Sequence, residues 1–284
     1  PMGFYPPRTI AEEAKRCGVG ILPPCVNVSE SRCTVEGGSI RLGLGMVRGA
    51  TGAGATRTLD ARERGGPFAS LEDFCARTHL SRPATENLIL ARAFDFTGLM
   101  PQELLWRLGA VDAAEGLGFS AARRGSLDSM TEVGRVAQDL HILGVSTTVN
   151  PFVFWGERIR EMGVTSSRDL YDCSDGDRVR VAGIVVARAR PPTRSGRTAI
   201  FISLEDEVGL VDVAVFEDAY RRCGGALYTS PVLCVEGRLT RRGKLDLSVT
   251  ARDVIGMGGW EDFELAPERH PSTGPAYRAL STSQ

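Results

Sequence analysis

The feature that most constrains this chain is a change of rhythm at Arg178. Upstream, apolar residues recur at helical spacing; from Arg178 onward apolar and polar residues alternate. The alternation predicts strands at 178–190, 198–204, 210–216, 231–239 and 244–252, with a short helix at 217–224 between the third and fourth. Turn-rich stretches at 191–197, 205–209 and 241–243 separate them. Three strands, a helix and two more strands within about 75 residues is the order of the OB-fold, a small Greek-key barrel.

Alternation also assigns sides. Ile200, Ile202 and Leu204, with Val211, Val213 and Val215, are expected in the barrel core; Ala199, Phe201, Ser203, Asp212, Ala214 and Phe216 then face outward. OB barrels bind oligonucleotides on their second and third strands, between the loops that follow the first and fourth. Phe201 and Phe216 are therefore the expected base-stacking platforms. The first loop brings Arg188, Arg190, Arg194 and Arg197, and the last brings Arg241, Arg242 and Lys244, all candidates for phosphate contact. The whole chain has a net charge of -1, which by itself announces no polyanion partner. Between Arg178 and Asp253, however, thirteen basic residues stand against nine acidic ones, an excess of four. All but two basic residues of the chain, Lys15 and Lys244, are arginines, which fork onto phosphate and stack on bases. The run Glu205-Asp206-Glu207 falls in a turn and reads as a solvated turn rather than a metal site.

Upstream the pattern is mixed, then helical. Residues 8–17 read as a helix opened by Pro6-Pro7 and closed at Gly18, followed by short strands at 20–22 and 26–28 and a hairpin, 33–36 and 39–44, across Gly37-Gly38. Residues 1–40 are too few for a domain and read as the remnant of a larger one. Residues 41–110 are expected to be helical: 43–47, 53–64, a helix capped by Ser70 through Ala76, 84–93 and 102–109. Between the first two lies Arg48-Gly49-Ala50-Thr51-Gly52, a Gly-rich turn of the helix-hairpin-helix kind. Gly49 and Gly52 let backbone approach a phosphate, the next helix offers its N-terminus, and Arg48 and Arg57 are candidate phosphate partners. Residues 111–177 read as a Gly/Ala/Ser-rich linker and a helical connector broken at Asn150-Pro151; 178–256 are the barrel, and the Pro/Ser/Thr-rich tail 257–284 reads as disordered. The fold class is thus α+β: a helix-hairpin-helix region followed by a C-terminal five-stranded OB-fold barrel.

Several classes of chemistry find no support. The seven cysteines are scattered without a C-x-x-C pair, which suits reduced structural thiols. His79, His141 and His270 are isolated and read as structural. There is no P-loop, no G-x-S-x-G, no H-E-x-x-H, and no carboxylate cluster of the two-metal kind, so no catalytic or metal-binding residue is assigned. No apolar run approaches the roughly 20 residues of a membrane helix, and residues 1–7 lack the features of a signal peptide, which favours the cytoplasm.

Taken in order, several motifs resemble a family. Met2-Gly3-Phe4-Tyr5-Pro6-Pro7, Ala14-Lys15-Arg16-Cys17-Gly18-Val19, Ile40-Arg41-Leu42-Gly43-Leu44 and Val47-Arg48-Gly49 are similar to the end of the fingers and the start of the helix-hairpin-helix region in bacterial C-family (DnaE-type) DNA polymerase III alpha subunits. Gly66-Pro67-Phe68-Ala69-Ser70-Leu71-Glu72-Asp73-Phe74 and Ala91-Arg92-Ala93-Phe94-Asp95 continue the match, and Val181-Ala182-Gly183-Ile184-Val185, Leu204 to Gly209 and Val235-Glu236-Gly237-Arg238 resemble that family's OB domain. The resemblance implies DNA handling: a hairpin region on duplex backbone and a barrel on single-stranded template or primer-template DNA. It also implies that Mg2+ and deoxynucleotides belong to palm aspartates found upstream in the full-length polymerase, so that this chain needs no cofactor and synthesises nothing alone. Replicative members carry a sliding-clamp peptide near the position of 111–132, where no clear one stands; this, with Leu104-Leu105-Trp106, points to the error-prone branch, whose further partners would be other polymerase or mutasome subunits. Two other readings remain: the corresponding region of the replicative polymerase, and a free-standing OB adaptor for RNA or protein.

Overall fold

The computed structural model describes residues 5–114, 131–192, 197–243 and 246–259. Helix α1 (Pro7–Arg16) starts on a proline, whose missing N–H costs nothing at a helix start, and ends with Lys15 and Arg16 where the helix dipole favours cations. Strands β1 (Ile21–Leu22), β2 (Thr34–Glu36) and β3 (Ser39–Arg41) form a small sheet in the order β1-β3-β2, with β2 and β3 antiparallel across the predicted Gly37-Gly38 turn. The strand expected at 26–28 is instead a turn: the Cys25 carbonyl accepts from the N–H groups of both Val28 and Ser29, while Val26 is fully buried and donates its N–H to Ala93. Its apolar character serves the core, not a ladder.

Helices α2 (Ala53–Gly65), α3 (Leu71–Thr78), α4 (Arg82–Leu90), α5 (Pro101–Ala114) and α6 (Glu132–Ile142) follow. Ser70 caps α3 as expected, its Oγ accepting from the Asp73 N–H at 3.2 Å. The helix expected at 43–47 is a single 3-10 turn, Leu44–Met46. One core runs through all of this, from Ala11 and Ile21 past Leu44, Phe74 and Leu88 to Leu143 and Val145. At its centre Phe68, Phe74 and Phe94 meet edge to face, with centroids 5.0 and 5.1 Å apart. Residues of the 1–40 segment and of the helices that follow are thus buried against each other.

Asn150 starts a 3-10 turn, Pro151–Trp155, that leads into α7 (Gly156–Glu161). Then come β4 (Arg178–Ala189), β5 (Ala199–Glu205), β6 (Leu210–Phe216), α8 (Glu217–Cys223), α9 (Ala226–Thr229), β7 (Val232–Arg241) and β8 (Leu247–Gly256). The five strands close a barrel in the order β4-β5-β6-β8-β7, antiparallel except for β6 with β8. The last strand begins at Leu247 rather than Lys244, after a turn in which the Arg242 N–H donates to the Asp246 carbonyl. The barrel core contains the six expected residues of β5 and β6, each no more than 4% exposed, with Leu227 of α9 and Ala219 of α8 among them.

A third cluster fixes the connector to the barrel's outside. Phe152 and Trp155 pack on Ala182 and Ile184 of β4 and Val232 and Cys234 of β7. The Trp155 indole donates to the Met257 carbonyl at 3.2 Å. One side of the barrel is therefore covered by chain, and the β5–β6 side is left for something else.

Candidate nucleic-acid interface

On that side the pleat gives three transverse rows. Phe201 lies opposite Ala214 on β6 and Ala189 on β4; Ser203 lies opposite Asp212 and Ala187. Phe216 lies opposite Ala199. Phe201 is 46% and Phe216 48% exposed, whereas Ala214 and Ala199 beside them are nearly buried and Ala189 is exposed. Ser203 donates to Asp212 at 2.6 Å. The face thus carries two open phenyl rings at one end and a polar pair in the middle.

Its other end is closed by a residue that sequence reasoning misplaced. Glu205 shares the outward side with Phe201 and Ser203, since successive odd positions of β5 lie on one face. It is not a solvated turn residue: it is fully buried, pointing into α1. Its carboxylate meets Arg8 at 3.5 Å and Arg16 at 3.3 Å, and accepts from Thr9 Oγ1 at 3.5 Å. Burial pushes the Glu205 carboxyl up from the usual range against the opposing pull of Arg8 and Arg16. Asp206 is also buried; it accepts from Ser167 N–H and Oγ at 2.6 and 2.8 Å and from the N–H groups of Val208 and Gly209. The acidic run therefore bolts the barrel to α1 and to the connector. Among the described residues no group of three or more His, Cys, Asp or Glu could hold a metal ion.

The loop arginines divide. Arg188 lies opposite Ile202, a core-facing residue, so it stands on the other side of the strand from Phe201. Its guanidinium sits over the Tyr228 ring of α9, 4.9 Å from the centroid. Arg190 sits over Tyr220 of α8 at 5.7 Å and donates to Thr198 Oγ1 at 3.3 Å. Arg197 is exposed near Glu217, which the Thr198 amide and Arg221 hold below the usual carboxylate range. Arg241 is turned inward, donating to the carbonyls of Tyr171 and Cys173 at 2.8 Å each; Arg242 is exposed. Arg194 and Lys244, like most of the linker expected at 111–132 and the tail from 260, lie outside the described residues.

In the helical region the expected Gly-rich turn is present. Gly49 and Gly52 have φ of 82° and 54°, which only glycine adopts without strain, and Gly52 precedes α2 with ψ of -113°. Both are exposed, as are Arg48 and Arg57. The turn is pinned from behind: the Arg48 N–H donates to the Ile142 carbonyl at the end of α6, and Asn87 Nδ2 donates to the Arg48 carbonyl. His141, read as structural, lies with Nε2 2.9 Å from Arg48 Nη1. No sequence signal joins residues 93 positions apart. No described helix is long and apolar enough to cross a membrane.

A glycine-turned helical region joined to a five-stranded barrel with an open aromatic face defines a class: nucleic-acid-binding chains. Comparison agrees, for residues 18–104 match the helix-hairpin-helix motif family and residues 179–255 match the OB-fold nucleic acid binding domain. Over 89% of its length the chain is 37% identical to the "Error-prone DNA polymerase" of Mycobacterium tuberculosis (strain ATCC 25618 / H37Rv). Over 86% it is 34% identical to that of Symbiobacterium thermophilum, and over 78% it is 36% identical to that of Corynebacterium glutamicum. It spans about a quarter of the length of these relatives, 24%, 27% and 21% respectively. Over most of its length the chain is thus similar to a part of the error-prone DNA polymerases.

Proposed function

We propose that this chain is the DNA-holding part of an error-prone, DnaE-type polymerase, with the Gly49–Gly52 turn on duplex backbone and the β5–β6 face on the single-stranded template. The observation that carries this reading is the pair of half-exposed phenyl rings, Phe201 and Phe216, at the end of the β5–β6 side that α1 leaves open. Bases stack on open rings whatever their sequence, and an enzyme that copies damaged templates needs that tolerance. Arg48 and Arg57 beside two positive-φ glycines suit the regular phosphates of a duplex. Nothing in this division asks the chain to perform chemistry: polymerisation, with its Mg2+ and deoxynucleotides, is assigned to the palm aspartates of the longer polymerase, and this chain alone is expected to bind DNA and extend no primer.

The test is fluorescence anisotropy with labelled single-stranded DNA, primer-template DNA and RNA of matching sequence across a salt series. Binding of both DNA forms, weakened by salt, with the single-stranded form sensitive to Phe201→Ala, is the expected result. Preference for RNA, or single-strand binding indifferent to Phe201, overturns it.

A further inference from the structure

The face just described runs into a wall. On β5 the outward side passes from Phe201 through Ser203 to Glu205, and there α1 is seated with Arg8 and Arg16 on the carboxylate. A strand lying along β5 cannot continue past that end and must leave at the other, beyond Phe216, where β6 turns into α8. What stands there is the rim made by the end of β4, the start of β5, α8 and α9. We infer that this rim is a second stacking site, in which Tyr228 with Arg188, and Tyr220 with Arg190, receive bases as a single strand turns off the β5–β6 face over the end of the barrel.

Three observations support it. The rim adjoins the aromatic face, because Phe216 is the residue before α8 and is paired with Ala199, one residue from the Thr198 to which Arg190 donates. Each arginine is paired with a ring, its guanidinium carbon 4.9 Å from the Tyr228 centroid for Arg188 and 5.7 Å from the Tyr220 centroid for Arg190, which puts a cation that can meet phosphate beside an aromatic that can stack a base. Neither guanidinium has a carboxylate partner among the described residues, and Tyr228 is 53% exposed although its neighbour Leu227 is fully buried. A purely structural tyrosine would gain by turning in with Leu227. A β-bulge between Val185 and Ala187 creates this arrangement: it reverses which side alternate residues of β4 occupy, and so sends Arg188 and Arg190 to the helical rim rather than to the Phe201 side.

This inference rests on the single-strand reading of the β5–β6 face, and one experiment separates the two. Labelled oligothymidylates of about 4 and about 12 nucleotides, within the range of site sizes for one barrel, are titrated against the chain and its variants. The short probe fills the face; the long one also reaches the rim. Tyr228→Ala, an exposed change that leaves the core intact, is expected to weaken the long probe about tenfold and the short one not at all. Tyr228→Trp is expected to restore the long probe, and an aminopurine base at its end is expected to be quenched on binding to the unaltered chain but not to Tyr228→Ala. Equal losses for both probes, or none for either, overturn the rim site while leaving the face in place. Failure of both probes to bind the unaltered chain overturns the face and the rim together.

Discussion

The hairpin turn and the barrel face offer nucleic acid opposite kinds of surface. At the turn the features are backbone: two glycines at positive φ, an N-terminus of a thirteen-residue helix, and two exposed arginines. On the barrel they are side chains standing on a ladder: Phe201 and Phe216 in adjacent rows, with a hydroxyl–carboxylate pair between rings and wall. The first surface reads charge and spacing and is indifferent to bases. The second reads flatness and is nearly indifferent to charge. On the proposed reading, the difference teaches how one short chain could hold two forms of DNA without a sequence-specific contact. It makes sense only if the two surfaces are kept in fixed relation, and the Glu205 cluster between β5 and α1 is one of the bonds that do so, beside Asp206 and the packed connector.

The largest expected effect comes from breaking that bond. Glu205→Ala leaves Arg8 and Arg16 facing each other without their shared carboxylate, in a site where both side chains are nearly buried. Removing one partner of a buried ion pair costs about 3–5 kcal/mol, and urea denaturation should show that loss, with the barrel and the helical region unfolding in separate steps. Replacing Arg8, Arg16 and Glu205 together by Met, Leu and Leu should recover most of it, since the buried acid that then remains there, Glu12, keeps its partner Lys15. A single variant as stable as the parent would remove the latch and leave two tethered, independent binding regions.

Next in size is the barrel face. Phe201→Ala should weaken single-stranded DNA by about 1–3 kcal/mol, and the slope of log affinity against log salt should not change, because a ring displaces no counterions. Primer-template DNA held through the hairpin turn should lose less. Gly52→Ala should cost about 1–3 kcal/mol of stability from strain alone, for the added methyl meets nothing within 4 Å while the backbone sits at φ 54°, ψ -113°. A thermal melt separates that strain from any effect on binding.

Much of this was legible in the sequence, and the exceptions have physical causes. The strands and the core of the barrel follow from alternating Val, Ile and Leu, and the outward placement of Phe201 and Phe216 from simple parity. Arg188 and Arg190, expected in the first loop, stand on β4 and at its end instead, and alternation could not have shown which way: Val179 and Val181 are core, Ala187 and Ala189 are outside, and the slip between Val185 and Ala187 carries the two arginines to the rim. Glu205 was unreadable because three acids in a turn look solvated, and the cations that bury it stand 189 and 197 positions away. The same holds for His141 beside Arg48. Long-range pairings of charge leave no local period, so they escape any argument built on spacing.

The smallest effect is the one that sharpens the contrast most. Arg48→Gln and Arg57→Gln should each reduce the salt slope for duplex or primer-template DNA by about one unit, weakening it uniformly across sequences, if each neutralises one phosphate. Short single strands, held by rings, should keep their slope. Arg48 is itself positioned: its Nη1 lies 2.9 Å from His141 Nε2, and an arginine can only donate, so the imidazole nitrogen accepts there. His141→Ala should therefore weaken duplex binding by less than Arg48→Gln does, with the salt slope unchanged, and leave single-strand binding as it was. An equal loss with single strands would separate His141 from the duplex surface.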